Sequence, residues 1–154
     1  MRFAIQKGIN LLSILVAIII LTDFLYTGEM FIEEVNHIKK EHQRYYNAAK
    51  NSHFSYRVNT DKHSFNVTED FAKKIEIGEK INYTVSKIFA EINSYSKIES
   101  NKKEVYSLRL FSGLILPILV IIIMVLSFYS KIKISSLVLI FQILLIGNLI
   151  FLIS

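Results

Sequence analysis

The sequence predicts a membrane protein of the α+β class, with three transmembrane helices and a small exoplasmic β-rich module inserted between the first and second helices. Hydrophobic residues make up 52% of the chain, and its mean hydropathy is +0.39. They concentrate in residues 8–26, 110–130 and 134–154, and the last two blocks contain no charged residue. Each block has about the 20 apolar residues that a helix needs to cross a bilayer core ~30 Å thick. A globular core alone does not require such blocks.

The first element is a short tail, residues 1–7, followed by a transmembrane helix over 8–28. Arg2 and Lys7 precede an apolar run, as in a secretory signal. The run continues into "TDFLYTGEMF", which has no small-residue cleavage site. We therefore expect an uncleaved signal anchor.

Lysine and arginine predict the orientation of the helices. The tail carries Arg2 and Lys7, the predicted turn at 131–133 carries Lys131 and Lys133, and neither segment has an acidic residue. Basic residues of short loops accumulate on the cytoplasmic side. We expect a multi-pass protein of the plasma (inner) membrane, with a cytoplasmic N-terminus and with residues 29–108 and the C-terminus exoplasmic or periplasmic. Frequent Ile, Lys and Asn indicate a bacterial source.

An amphipathic juxtamembrane helix is predicted over 29–50. Its apolar positions are spaced alternately by four and three residues, which places them on one helical face. Charged residues occupy the other face. The positions of the apolar face are Phe31, Val35, Ile38, His42, Tyr45 and Ala49.

The segment 51–97 predicts a small β-rich module. Phe54, Tyr56 and Val58 alternate with polar residues, and a turn-like "NTDK" separates them from Phe65 and Val67, as in a β-hairpin. A sheet this small needs support from a neighbouring element. From Asn101 onward, an N-cap residue with Glu104 three positions later predicts a helical lead-in over 98–109.

The remaining elements are a second transmembrane helix over 110–130, a turn at 131–133 and a third helix over 134–154. Pro117 lacks the N–H group that would bond the carbonyl of Gly113, so we expect a kink at these two residues.

Polar and small residues within the apolar blocks predict helix contacts. Such residues are costly toward lipid but allow close approach and hydrogen bonding between helices. They can face another helix of the same chain or a partner protein, and the sequence leaves both alternatives open. The predicted contact residues are Asn10, Ser13, Ala17, Gln142, Gly147 and Asn148.

Asp23 is the single charged residue of the first apolar block, and Arg109 directly precedes the second. Both positions are close to a membrane interface. We expect an interfacial ion pair, since an ion pathway would require more titratable groups at depth.

The sequence predicts no catalytic, metal or cofactor site. Glu34 and His37 have the i, i+3 spacing of a carboxylate-bridged metal site in a helical bundle, but the further glutamates and the second Glu-x-x-His of such a site do not occur. His37 and His42 are five residues apart and point to different helix faces, so they do not form a two-histidine zinc motif either. No cysteine, phosphate-binding loop or nucleophile motif is present. The net charge of +5 comes mostly from membrane flanks, so we expect neither nucleic acid nor a small-molecule substrate as partner.

These observations favour a non-catalytic accessory or assembly subunit of a larger envelope complex. Its expected partners are the lipid bilayer and other integral membrane or envelope proteins. Two alternatives stay open: a membrane immunity or defence protein that neutralises a toxin, and a small transport or sensing protein whose β-rich module binds a ligand.

Overall fold

The computed structural model describes residues 2–26, 28–44, 52–100, 102–129 and 135–154, which form two compact units. We call them the helical unit and the β module. The helical unit comprises the described residues of 1–27, 86–91 and 108–154, and the β module comprises those of 28–85 and 92–107.

The helical unit contains three long apolar helices. The first is α1 (Arg2–Leu25); the second comprises α3 (Ser107–Leu110), a π-helical turn (Phe111–Ile115) and α4 (Leu116–Tyr129); the third is α5 (Ser135–Ile153). Among the described residues, three segments are long and apolar enough to cross a membrane: Ile5–Leu25, Ser107–Tyr129 and Ser136–Ile153. The three predicted apolar helices are confirmed, while the predicted turn at 131–133 lies outside the described residues.

The three helices share one apolar core. Ala17 and Ile20 of α1 pack with Val120 and Met124 of α4 and with Leu145 of α5. Most other apolar side chains of these helices are exposed. Such an apolar exterior is compatible with a lipid environment, because lipid tails are as apolar as the exposed side chains.

The β module contains two three-stranded antiparallel sheets, ordered β1-β5-β6 and β2-β3-β4. One hydrophobic cluster includes residues of both sheets, among them Val35, Val58, Phe65, Ile81 and Tyr95. The strands and the single-turn helix of the module are β1 (Glu29–Glu34), β2 (His37–Arg44), β3 (Ser52–Asn59), β4 (Ser64–Val67), α2 (Glu69–Ala72), β5 (Lys80–Val85) and β6 (Ile92–Lys97).

A single extended segment contributes to both sheets, because only Val35 and Asn36 separate β1 from β2. The N–H of Val35 donates to the carbonyl of Glu79, just before β5, and the N–H of Asn36 donates to the carbonyl of Asn59, at the end of β3. Consecutive N–H groups of an extended chain point to opposite sides. The segment therefore pairs with β5 along one of its edges before this point and with β3 along its other edge after it.

The predicted amphipathic helix over 29–50 is wrong for the described residues, which form β1 and β2. In β1 the outward side chains of Met30, Ile32 and Glu34 alternate with the more buried Phe31 and Glu33. The helical interpretation placed Glu33 on the charged face, whereas the strand period of two places it on the more buried face with Phe31. Pairing with β5 and β3 outweighed the local helical pattern. Residues 45–50 lie outside the described part.

The predicted lead-in helix over 98–109 begins only at Ser107. Glu104 is extended, and its N–H and carbonyl form hydrogen bonds with the main chain of Tyr95 at 2.8 and 2.9 Å. Its carboxylate also accepts a hydrogen bond of 2.6 Å from the Thr68 hydroxyl. These contacts hold Glu104 beside β6, where a helix could not satisfy them. The module consequently extends beyond its predicted limits of 51 and 97.

The irregularity expected at Gly113 and Pro117 takes the form of the π-helical turn. The N–H of Leu116 donates to the carbonyl of Phe111, five residues earlier. A Cβ atom at Gly113 would lie 2.5 Å from Cδ2 of Phe24, so only glycine permits this approach of α1 to the turn. The proline and the glycine thus act at one place: one interrupts the helical bonding and the other permits close packing.

Candidate functional site

Asn10 is the centre of a hydrogen-bond group that joins all three long helices. Nε2 of Gln142 on α5 donates to Oδ1 of Asn10 at 3.0 Å, and Nδ2 of Asn10 donates to Oγ of Ser127 on α4 at 2.7 Å. Gln6, one turn earlier on α1, also donates to Oδ1 at 3.0 Å. Asn10 and Gln142 are both buried. The structure thus brings these two predicted contact residues together within one chain.

Asn148 has a different partner, and the π-helical turn explains it. Nδ2 of Asn148 donates to the main-chain carbonyl of Ser112 at 2.9 Å. In a regular helix this carbonyl would accept from Leu116, but the Leu116 N–H donates to Phe111. The next residue, Pro117, has no N–H group. A side chain from α5 therefore satisfies a buried carbonyl for which α4 offers no donor.

The other predicted contact residues divide into buried and exposed positions. Ser13 and Ala17 are buried, and the Ser13 hydroxyl donates to the carbonyl of Ile9 in its own helix at 2.9 Å. Gly147 is exposed, and a Cβ atom there would meet nothing within 4 Å. A contact of Gly147 with a partner helix stays a prediction.

Asp23 and Arg109 form an ion pair, with Nη2 of Arg109 3.1 Å from Oδ2 of Asp23. Their side chains are only 0% and 4% exposed, respectively. Asp23 also accepts a hydrogen bond of 2.8 Å from the N–H of Ile88, and Arg109 lies over the Phe24 ring. The predicted ion pair is present and is buried within the helical unit, while its position at a membrane interface stays a prediction.

Glu91 is a third charged group near this pair, and sequence reasoning missed it. Burial raises the pKa of Glu91, the Arg109 guanidinium opposes that shift, and the Asp23 carboxylate adds to it. The loop that carries Glu91 is closed by two hydrogen bonds with Ser86, one from the Ser86 N–H at 2.8 Å and one to its hydroxyl at 3.1 Å. Two acidic side chains thus influence one buried arginine.

The β module contains a polar network around the buried hydroxyl of Tyr83. This hydroxyl donates to Oε2 of Glu33 at 2.6 Å and lies 2.8 Å from Nδ1 of His63 and 3.2 Å from Oγ1 of Thr60. Because the hydroxyl hydrogen goes to Glu33, the His63 nitrogen must be the donor in its contact. Four strand and turn residues, distant in sequence, thus share one chain of hydrogen bonds.

The network shifts the pKa values of its members. Burial raises the pKa of Tyr83, and its hydrogen bond to Glu33 adds to the shift. For Glu33, burial acts to raise the pKa, but hydrogen bonds from Tyr83, Thr60 and the Lys62 N–H outweigh it, so its pKa is lowered. A carboxylate that accepts several hydrogen bonds is favoured in its charged form. The network is therefore built for a charged Glu33 and a neutral Tyr83.

Among the described residues, no group of three or more His, Cys, Asp or Glu side chains could hold a metal ion. Glu34 and His37, rejected above as a metal motif, end one strand and begin the next. Comparison of the chain with protein-family models, with curated proteins and with solved structures gives no match.

Proposed function

We propose that the protein is an integral membrane accessory or assembly subunit, in which the three helices are the anchor and the β module binds another protein of the envelope. One observation carries the proposal: polar side chains of the three helices are hydrogen-bonded to one another within the chain. Asn10 bonds the side chains of Gln142 and Ser127, and Asn148 donates to the main-chain carbonyl of Ser112. Helices whose polar groups are satisfied internally suit an anchor better than a transport pathway.

The β module supports the second half of the proposal. It has a hydrophobic core of its own, so it can present a surface without depending on a partner for its fold. On its outside, Met30 and Ile32 are exposed apolar side chains two residues apart on one strand. Exposed apolar residues that lie together are typical of protein-interaction surfaces.

The orientation that we propose puts the N-terminus in the cytoplasm and the β module and C-terminus outside. The basic residues Arg2, Lys7, Lys131 and Lys133 support it. The chain has no cysteine, so single substitutions can report on each side. Lys80→Cys in the module should react with a membrane-impermeant maleimide in intact cells, and Lys7→Cys only after permeabilisation. The reverse pattern would contradict this orientation.

Purification in mild detergent tests the subunit function. The full-length tagged chain should elute with another membrane or envelope protein at a constant ratio, in a complex larger than the chain and its micelle. A chain that runs alone under several detergents and after cross-linking in cells would contradict the proposal. Protection of cells against a toxin would instead favour the immunity function, and a ligand-dependent thermal shift would favour transport or sensing.

A further inference from the structure

Strand β1 has one open edge. In the sheet order β1-β5-β6 it is an edge strand, and among the described residues β5 is the one strand that pairs with it. The Val35 N–H, just after β1, points toward the β5 side, where it donates to Glu79. Since main-chain groups alternate in direction along a strand, those of Met30, Ile32 and Glu34 point away from β5. These residues therefore present their N–H and C=O groups at the open edge.

The side chains of the same three residues are also exposed. Met30 is 61% exposed and Ile32 is 59% exposed, and both stand on the outer face of the sheet. Proteins usually protect an edge strand with charged side chains, most often lysine, or with proline or a bulge, because unpaired main-chain groups invite another strand. In β1 the charged residues are all glutamates, which repel an acidic strand but attract a basic one. β1, with the sequence EMFIEE, has neither lysine nor proline, and no bulge interrupts its pairing with β5.

The charge of β1 indicates the chemistry of its partner. The strand has three glutamates and no basic residue. Glu33 points inward and is bound by Tyr83 and by Lys62, whose Nζ lies 3.6 Å from Oε1. Glu29 and Glu34 are exposed. A basic partner strand would complement this edge, since opposite charges stabilise strand pairs and like charges destabilise them.

A second copy of the chain fits this edge less well. A two-fold axis pairs an open edge with the identical open edge, so β1 would pair with β1 of the other copy. That arrangement doubles the negative charge and brings no basic side chain into either strand. The apolar residues would pair favourably, but the glutamates would oppose the association.

We propose that β1 is a docking edge for an extended segment of another protein, and that this segment has basic and apolar side chains on one face. It would add a strand beside β1, with apolar residues next to Met30 and Ile32 and a lysine or arginine next to Glu34. Main-chain hydrogen bonds supply affinity in such pairing, and the alternate side chains supply specificity. The proposal rests on the subunit function proposed above and names the surface that serves it.

A suitable probe is a peptide with valine, valine and lysine at alternate positions and threonine between them, so that all three share one face of a strand, with the purified full chain in detergent as its target. We call it the valine–lysine peptide; glutamate replaces its lysine in the valine–glutamate peptide, and serine replaces its valines in the serine–lysine peptide. Binding should exceed that of a valine–glutamate peptide and of a serine–lysine peptide by about tenfold or more, which corresponds to about 1.4 kcal/mol. The first comparison tests charge, and the second tests the apolar contacts. Equal binding of the valine–lysine and serine–lysine peptides would overturn the docking edge, because only non-specific attraction would remain.

Variants of the open edge provide the decisive control. Ile32→Pro removes an N–H that points away from β5, so the sheet keeps its own hydrogen bonds while the edge loses a donor. Ile32→Lys adds a positive charge where we expect an apolar contact. Each change should weaken peptide binding by about tenfold. Ile77→Lys is the matched control, because Ile77 is 64% exposed and lies outside β1. Wild-type binding by both Ile32 variants would overturn the proposal.

Two further variants test whether a second copy of the chain or lipid occupies the edge instead. Met30→Cys in the cysteine-free chain should not form disulfide-linked dimers in membranes; efficient dimerisation would show that a second copy occupies the edge. The chain also has no tryptophan, so Met30→Trp gives a single tryptophan that can be excited selectively at a wavelength where tyrosine does not absorb. Its quenching by brominated lipid in phosphatidylcholine–phosphatidylglycerol vesicles would show that lipid covers the edge. Either result would overturn the proposal.

Co-purification separates failure of this inference from failure of the subunit function. If the wild-type chain and Ile32→Lys retain the same envelope protein equally, the docking edge is wrong and the subunit function stands. If the wild-type chain retains no protein, the subunit function fails. The proposal is supported when the partner is lost with Ile32→Lys and kept with Ile77→Lys.

Discussion

The helical unit and the β module bury polar side chains in different ways. In the helical unit, polar residues meet across helices at separate places: the group around Asn10 includes Gln142 and Ser127, and Asn148 bonds the Ser112 carbonyl. In the β module, several residues gather around the Tyr83 hydroxyl in one network, which also includes a main-chain group of a turn, the Lys62 N–H bonded to Glu33. The difference follows from the backbone. A regular helix satisfies most of its own main chain, so its polar side chains bond mainly one another; turns and strand ends leave main-chain groups that a network must satisfy.

The largest expected effect is on the buried ion pair of the helical unit. Arg109→Met should lower the free energy of unfolding by about 3–5 kcal/mol, because it leaves the buried Asp23 carboxylate without its cation. The double variant Asp23→Leu with Arg109→Met should lose less, since neither charge remains. Reversible unfolding in mixed detergent micelles measures both. A double variant less stable than Arg109→Met alone would show that Asp23 has an equally important second role.

In the β module, Tyr83→Phe should cost about 1–3 kcal/mol, since it removes one hydroxyl from a network whose other members, Thr60, Glu33 and His63, are buried or half-buried. Hydrogen exchange of peptides from 52–85 and 92–97 should rise while that of the three helices stays unchanged. If exchange in the helices rose equally, the two units would not be energetically separate, and the comparison between them would fail.

The glycines of the helical unit should respond in opposite ways. Gly113→Ala places a methyl group 2.5 Å from the Phe24 ring, and we expect a loss of about 1–3 kcal/mol from overpacking. Gly147→Ala meets nothing within 4 Å and should be neutral or stabilising by up to about 1 kcal/mol, as expected for a helical glycine. Thermal unfolding in detergent measures the pair. A loss of stability at Gly147 would indicate a contact between chains.

Asn148→Leu should cost about 1 kcal/mol in the wild-type background, because it removes the donor for the Ser112 carbonyl. In a Pro117→Ala background a regular helix can form its own bonds, so the same change should cost less. A double-mutant cycle measures this coupling. If the two changes in the free energy of unfolding simply added, Pro117 and Asn148 would act independently. That result would contradict their coupling through the π-helical turn.

The smallest expected effect is the acid response of Glu33. Its pKa in the folded module is lowered from 4.5, so the folded state binds this proton more weakly than the unfolded chain does. The resulting stabilisation is present above pH 4.5 and is lost as the pH falls through the lower folded pKa. Glu33→Gln should therefore flatten the acid decline of module stability below about pH 4.5. Urea unfolding followed by tyrosine fluorescence across this range provides the measurement.

The burial of polar side chains could be predicted where the surrounding sequence is apolar. It could not be predicted where the surrounding sequence is of mixed composition. Asn10, Gln142 and Asn148 stand out in apolar blocks, so their burial against another helix follows from the cost of exposing them to lipid. Glu91 and Tyr83 lie in segments of mixed composition, where nothing local distinguishes a buried network member from a solvated residue. A second acidic group close to Arg109 could be recognised only once the loop at 86–91 had been placed.

The interpretation of 29–44 as a helix fails for a related reason. Phe31, Val35 and Ile38 fit a helical period, and Phe31, Glu33 and Val35 fit a strand period equally well once Glu33 is allowed to point inward. Sequence reasoning assigned every glutamate to the outer face. The Tyr83 hydroxyl, fifty residues away along the chain, is what makes an inward glutamate favourable.

The sequence by itself determined the three apolar helices, the place of the β module between the first two, and the polar residues that the helices bury. These follow from composition and length, since about 20 apolar residues suffice for a span and polar groups in such a span must find partners. Tertiary structure decided which partner each residue has, that β1 and β2 replace a helix, and that β1 keeps an open edge. Those features depend on hydrogen bonds between residues distant in sequence, which no local pattern specifies.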